Sequence, residues 1–279
     1  MLKLMYITNR PEVAQIAECA GVDRIFVDME YLGKSERQKN MDTVQSHHSI
    51  ADIAAIRAAL SSAELLVRIN PIHEALPELP ASGDEIDAAI AAGADVLMLP
   101  YFKTPGEVKT FLDCVAGRVK TMLLVETPEA VARLDEILAL PGIDEVHIGL
   151  NDLSLGYGKK FMFELLADGT VERLCFQLRK KGLRYGFGGI AALGGGMLPA
   201  ECIIKEHYRL GSGCVILSRS FCDTSKLREL DAVKCIFQQG VREIRALEAE
   251  CKRHADYFWE NESELCSRVA AVCRKLYSL

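Results

Sequence analysis

Two acidic residues stand where apolar runs stop. Glu126 closes KTMLLVE (residues 120–126), and Asp152 follows DEVHIGL (144–150) inside GLNDLS. A carboxylate directly after such a run needs a partner, a metal or open solvent, because burying an unpaired charge is costly. If the two converge, they repel one another unless they share a proton or a cation. Oxygen-only ligation suits Mg²⁺ or Mn²⁺, which keeps positions open for a substrate that chelates through a carboxylate and a ketone oxygen. The plainer reading makes Asp152 the cap of a turn before a helix and Glu126 the cap of a helix starting at Thr127.

Other run ends carry chemistry as well. Arg68 and Asn70 close ELLVRIN (64–70), and Asp28 and Glu30 close DRIFVDME (23–30), with Tyr31 next. The Arg68 guanidinium offers a rigid fork to a substrate carboxylate or to an oxygen gaining negative charge. It can equally form a structural ion pair with Asp28 or Glu30, and the two roles are compatible because a working arginine needs neighbours that orient it. Tyr31 is either a proton carrier, a hydrogen bonder or a packing residue; a phenol near pKa 10 is a poor base unless something activates it.

His47 and His48, in MDTVQSHHSI, are candidate bases on the loop after the second run, since histidine titrates nearest neutrality. Loop exposure or helix capping is the alternative for both. His73 is a further candidate; His147 lies inside a strand-like run, where packing or an inter-strand hydrogen bond is the default, and His207 and His254 fall in outer helical patterns. Asn70 and Asn151 are candidate substrate contacts.

After the seventh run comes GFGGIAALGGGMLPAE, where Gly188, Gly189, Gly194 and Gly195 would let backbone N–H groups approach a phosphate or sugar, with Arg219 adding charge. Turn geometry or a mobile lid are the alternatives. No GKS or GKT follows, so it is not a nucleotide P-loop.

The elements that must position these residues repeat in type. Strand-like runs occur at 2–8, 23–30, 64–70, 94–100, 120–126, 144–150, 183–189 and 213–219, separated by segments with helical spacing. Eight such alternations predict a parallel (β/α)₈ barrel over residues 1–222, with catalysis at the C-terminal ends of the strands. An open doubly wound sheet would want a glycine-rich loop after an early strand, and TNRPEV stands there instead. Residues 223–279 hold two long helical patterns, the last barrel helix and a surplus one whose apolar face would pack on a neighbouring subunit or across a barrel end. Tyr257, Phe258 and Trp259 read as packing residues.

The 279 residues are ample for a large core, and the formal charge of −6 lacks the basic surplus that nucleic acid requires. Ten scattered cysteines without a close CxxC pair fit reduced thiols in a cytoplasm. The first residues, MLKLMYITNRP, show neither a continuous apolar h-region nor a small-residue cleavage site, so export is not expected, and no apolar run is long enough for a membrane span.

Taken in order, FVDMEYLG, LLVRINP, VLMLPYFKTPGEV, LLVETPEAV and IDEVHIGLNDLSLGYG resemble the signatures of the HpcH/HpaI aldolase and citrate lyase beta family, within the pyruvate/phosphoenolpyruvate barrel superfamily. The resemblance covers residues 1–220 in outline and is strongest from Leu65 to Gly158. It implies a divalent metal, Mg²⁺ or Mn²⁺, held by Glu126 and Asp152, Arg68 beside a 2-oxo acid, orienting roles for Asp28 and Glu30, and a homo-oligomer in which the terminal helix packs on a neighbour. The implied activity is a metal-dependent carbon–carbon lyase or aldolase that stabilises a pyruvate-like enolate, with an acyl-CoA or a phosphorylated or sugar acceptor as candidate partners. One departure is Tyr31, where the aldolase branch has Asp-x-Glu-His; the citrate lyase branch lacks that histidine too. The alternatives are a phosphoenolpyruvate-type transfer enzyme and a non-catalytic metabolite-binding barrel.

Overall fold

The computed structural model describes residues 1–33, 48–253 and 256–278. Its centre is a closed barrel of eight parallel strands in sequence order: β1 (Lys3–Ile7), β2 (Arg24–Asp28), β3 (Glu64–Arg68), β4 (Val96–Leu99), β5 (Lys120–Val125), β6 (Glu145–Ile148), β7 (Arg184–Ile190) and β8 (Cys214–Leu217). The (β/α)₈ expectation is met, and each strand falls within or one residue beyond its predicted run.

The described residues form twelve helices. These are α1 (Pro11–Cys19), α2 (Ile50–Ala59), α3 (Ser82–Ala91), α4 (Pro105–Val115), α5 (Pro128–Ala132), α6 (Leu134–Ile137), α7 (Leu150–Gly156), α8 (Glu164–Ala167), α9 (Thr170–Lys180), α10 (Ala200–Leu210), α11 (Leu230–Arg253) and α12 (Phe258–Tyr277). No helix among the described residues is long and apolar enough to cross a membrane. The run 127–140 reads as one helix in sequence but forms the two short pieces α5 and α6.

Period-two alternation decides what faces where. One set of strand residues, including Ile25, Val27, Leu65, Val67 and Leu123, packs outward against the helices. The other set fills the barrel: Met5, Phe26, Leu66, Val96, Met98, Met122, Leu124 and Cys214 form a separate apolar plug. Along β2, β3 and β5 the same inward parity runs Arg24–Phe26–Asp28, Glu64–Leu66–Arg68 and Lys120–Met122–Leu124–Glu126. The barrel is thus a short apolar plug with charge at both ends.

At the N-terminal end the charges neutralise each other. Arg24, fully buried, donates to both Glu145 oxygens at 2.9 and 3.0 Å and to Glu64 at 2.6 Å, and Lys3 and Lys120 close on Glu64 at 2.6 and 2.5 Å. Burial works against charge on Arg24, Glu64 and Glu145, but their mutual attraction outweighs it: both carboxyls are held below, and the guanidinium above, their ordinary values.

The tail follows its two-helix expectation. On α12, Leu265 and Val269 are buried and the helix packs on α10 and α8 of its own barrel. Trp259 is 82 % exposed in the single chain and lies outside this core.

Replacing Arg24 by Met should lower stability by about 3–5 kcal/mol, because it leaves Glu145 buried without its partner. The midpoint of chemical denaturation measures this. A variant as stable as the wild type would show that the N-terminal ion cluster does not hold the barrel.

Candidate active site

The C-terminal mouth is built from loops that cross-tie one another. Asp28, the last residue of β2, accepts two parallel hydrogen bonds from Arg68, the last of β3, with Nε to Oδ1 and a terminal nitrogen to Oδ2 both at 2.8 Å. Register pairs these two residues directly. Glu30 lies 3.3 Å from the same Nε, and the guanidinium carbon sits 5.4 Å from the Phe26 ring centroid. Burial opposes the charge on Arg68, but Asp28 and then Glu30 more than offset it, so the arginine stays protonated. The ion pair expected as an alternative therefore exists, and it fixes the fork's orientation at the mouth.

Glu126 follows β5 and is 5 % exposed. Its Oε1 accepts the Tyr101 N–H at 3.0 Å. The helix-capping alternative fails for this residue: Thr127 caps α5 by accepting the Ala130 N–H at 3.1 Å, leaving the Glu126 carboxylate for the mouth. Asp152 lies in the first turn of α7, accepts from Asn151 at 3.3 Å, and is 8 % exposed.

Glu126 and Asp152 line one cleft of about 400 Å³ together with Tyr101, Pro128, Leu155 and Gly156. Burial first, then repulsion from Glu30 and Asp152, pushes the Glu126 carboxyl well above the usual range, against the pull of Arg68 and the Tyr101 N–H. Larger clefts lie at the N-terminal rim and along α9, away from these groups.

Glycine makes the approach of α7 possible. A Cβ on Gly149 would fall 2.8 Å from both Cβ and Oε2 of Glu126, and one on Gly156 would fall 2.6 Å from the Pro128 ring. Only bare backbone at these two positions lets the Asp152 helix lie against the Glu126–Pro128 segment.

The other predicted residues divide. Asn70 is committed to the protein: its Nδ2 donates to Glu85 at 2.9 Å, and its Oδ1 accepts the N–H groups of Tyr31 and Leu32 at 3.0 and 3.1 Å. Tyr31 is 39 % exposed, and burial with the charges of Glu85 and Glu78 raises its phenol further, making it a poorer base. His47 lies outside the described residues.

His48 does reach the site, where its Nδ1 accepts the Asp28 N–H at 2.9 Å. That bond selects the neutral tautomer with the proton on Nε2. His73 is held by Pro71, Pro80 and Ser82 in its own loop. His147 bonds the Gly188 carbonyl at 3.1 Å, the inter-strand contact expected of it, and burial lowers it to about 4. His207 stacks on Phe187.

In the glycine segment, Gly188 and Gly194 adopt positive φ (54° and 76°). The Gly194 N–H is already taken by Glu201 at 2.7 Å.

Sequence reasoning missed Tyr101, Glu85, Gly149 and Gly156. The glycines in GLNDLSLGYG were the one visible signal, since an unexplained glycine marks close backbone approach.

Oxygen donors dominate the mouth. Among the described residues no three His, Cys, Asp or Glu side chains come close enough to enclose a metal by themselves. Two carboxylates lining one cleft, one of them disfavoured as an anion by its neighbours, are a donor set of the kind that suits a hard divalent cation.

The HpcH/HpaI aldolase/citrate lyase family model matches residues 3–166, more than half of the sequence. The chain belongs to this family. Its class of chemistry is accordingly that of an aldolase or lyase. An HpcH/HpaI aldolase from Desulfitobacterium hafniense shares the fold with a TM-score of 0.59 at 16% identity, over 84% of this chain and 93% of that one. An HpcH/HpaI aldolase/citrate lyase family protein from Burkholderia cenocepacia does so with 0.59 at 18%, over 84% and 94%. A segment of 87 residues is 32% identical to a pyruvate kinase of Methylorubrum extorquens, which is 30% of this chain and only 18% of that enzyme's length.

Replacing Asn70 by Ala should destabilise the protein by about 1–3 kcal/mol, the scale for stranding a buried polar partner. Glu85 already has one buried oxygen without a hydrogen-bond partner among the described residues. Faster hydrogen exchange at the Tyr31 and Leu32 amides should accompany the loss; unchanged exchange would mean that Asn70 does not hold the loop.

Proposed function

We propose that this member of the family is a carbon–carbon lyase or aldolase dependent on Mg²⁺ or Mn²⁺, making or using the enolate of a pyruvate-like 2-oxo acid. The strongest support is the convergence of Glu126 and Asp152 on one cleft, with Arg68 clamped at the same mouth by Asp28. The pyruvate kinase that a short segment resembles is named for the same three-carbon acid.

Glu126 and Asp152 would hold the cation. When bound, it acts as a Lewis acid for the negative charge that develops on the ketone oxygen. In the cleavage direction the bond between C3 and C4 of the 2-oxo acid breaks, its electron pair passes into the enolate, and the C4 hydroxyl passes its proton to a solvent water as the aldehyde forms. Arg68 takes the substrate carboxylate or the enolate oxygen with the edge of its fork not engaged by Asp28, and its charge is greatest help where negative charge grows. Asp28 and Glu30 fix that fork.

His48, locked by the Asp28 amide, has a donor on Nε2 and no acceptor left in its neutral form. Its role in this reading is hydrogen-bond donation to the reacting oxygen, not abstraction of the proton. The phosphoenolpyruvate-transfer alternative gains little from the glycine segment, because the Glu201 carboxylate at the Gly194 N–H would repel a phosphate. A homo-oligomer in which residues 252–279 meet a neighbour belongs to the same proposal; exposed Trp259 is the natural contact point.

Calorimetry with Mg²⁺ or Mn²⁺ in the presence of pyruvate or oxaloacetate tests the metal. Asp152→Asn should fold normally and lose metal affinity, whereas Arg68→Lys should keep the metal and lose turnover by about 10²-fold or more, the scale of one oriented oxyanion donor. Binding should release a proton and strengthen as pH rises, because Glu126 must ionise to ligate and its carboxyl is raised. A wild type that binds neither metal with the 2-oxo acid present would leave the metabolite-binding barrel as the better account.

For His48, donation predicts that Gln, which keeps an N–H, retains clearly more turnover than Ala. Equal loss in both variants would return His48 to the role of base.

A further inference from the structure

Tyr101 is held in a backbone conformation that tyrosine disfavours, at the point where the chain touches Glu126. Its φ is 48°. Among the described residues only one other non-glycine has positive φ, Ala116, and that residue ends α4, where a left-handed cap is ordinary. Tyr101 ends no helix. A residue with a Cβ stays left-handed inside a loop only when its surroundings over-determine it.

Two hydrogen bonds supply that constraint, and they run in opposite directions between the same pair of loops. The Tyr101 N–H donates to Glu126 Oε1 at 3.0 Å, and the next residue on each side reciprocates, with the Thr127 hydroxyl donating to the Phe102 carbonyl at 2.7 Å. Phe102 is itself buried, which anchors the clasp. With Oε1 engaged, Oε2 lies against Gly149, three residues before Asp152.

We infer that Tyr101 is a positioning residue: its left-handed backbone aims an amide at Glu126 Oε1 and so presents Oε2 to the cleft it shares with Asp152. The inference rests on the reading of Glu126 as a metal ligand for its consequence, but not for its geometry. The ring is not the working part. It lines the cleft and lies 5.4 Å from the Lys103 ammonium, which pairs with Glu129 at 3.3 Å.

Substitutions that differ in their tolerance of positive φ separate backbone from ring. Gly and Asn accept that conformation, whereas a β-branched residue resists it. Tyr101→Gly and Tyr101→Asn should therefore bind Mn²⁺ within threefold of the wild type, while Tyr101→Val weakens it tenfold or more. Tyr101→Phe, which keeps both ring and backbone, should match the wild type.

The opposite pattern, with Phe retaining affinity and both Gly and Asn losing it, would overturn the inference in favour of the ring. Should Tyr101→Val fail to fold, the Gly, Asn and Phe variants still decide. Should the wild type bind no metal, the functional reading fails separately. Crystal structures of Tyr101→Asn and the wild type then test the positioning alone: Glu126 Oε1 must stay within hydrogen-bond distance of the residue 101 N–H, and a rotated carboxylate overturns it.

Discussion

Among the described residues, four buried carboxylates crowd the mouth of this barrel around Arg68, and its architecture follows from that crowding. Asp28, Glu30, Glu126 and Asp152 are each less than a tenth exposed, and Arg68 stands among them with one edge of its fork on Asp28. Such a set is expensive to bury. The opposite end of the barrel shows what a balanced cluster does: Arg24, Lys3 and Lys120 meet Glu64 and Glu145, and every carboxyl there falls below its ordinary value. At the mouth Glu126 moves the other way. One end is a stabilising cluster, and at the other burial and acidic neighbours hold Glu126 back from ionising.

Carboxylates crowded in this way stay together only if they cannot relax apart. Backbone groups prevent this more than side chains do. The Tyr101 amide holds Glu126, the bare backbone of Gly149 and Gly156 lets α7 bring Asp152 close, and the Asn70 side chain gathers the amides that follow Glu30. Each of these ties joins loops of neighbouring strands, so the rigid barrel beneath sets the spacing of groups that stand on loops.

This division explains which parts of the site were legible in the sequence. Strand periodicity alone puts Asp28, Arg68 and Glu126 on the inner face above an apolar plug, because residues two apart share a face. The barrel, its strand order and the mouth location followed from the same periodicity. Asp152 needed more, since it belongs to a seven-residue helix whose short LNDLSLG pattern carries little periodic signal. Tyr101 and Glu85 left no signal at all: one acts through its amide, which is the same in every residue but proline, and the other sits in an ordinary amphipathic helix pattern. The split of 127–140 into two helices was likewise hidden, as nothing in its spacing marks the break at Arg133.

Tyr31 and His48 show how the backbone at the end of β2 sets the state of two neighbouring side chains. Asn70 draws the amides of both Tyr31 and Leu32 onto one oxygen, which fixes the chain there irrespective of the side chain it carries. The phenol then extends outward, where burial and two carboxylates keep it protonated. At the same time the backbone of Asp28 presents its own N–H to the His48 imidazole. A histidine received in that way is fixed in tautomer by a backbone group, so its chemistry is narrowed to donation as long as the bond lasts. The end of β2 thus carries a half-exposed phenol and a tautomer-locked imidazole, and neither is poised to accept a proton in this arrangement.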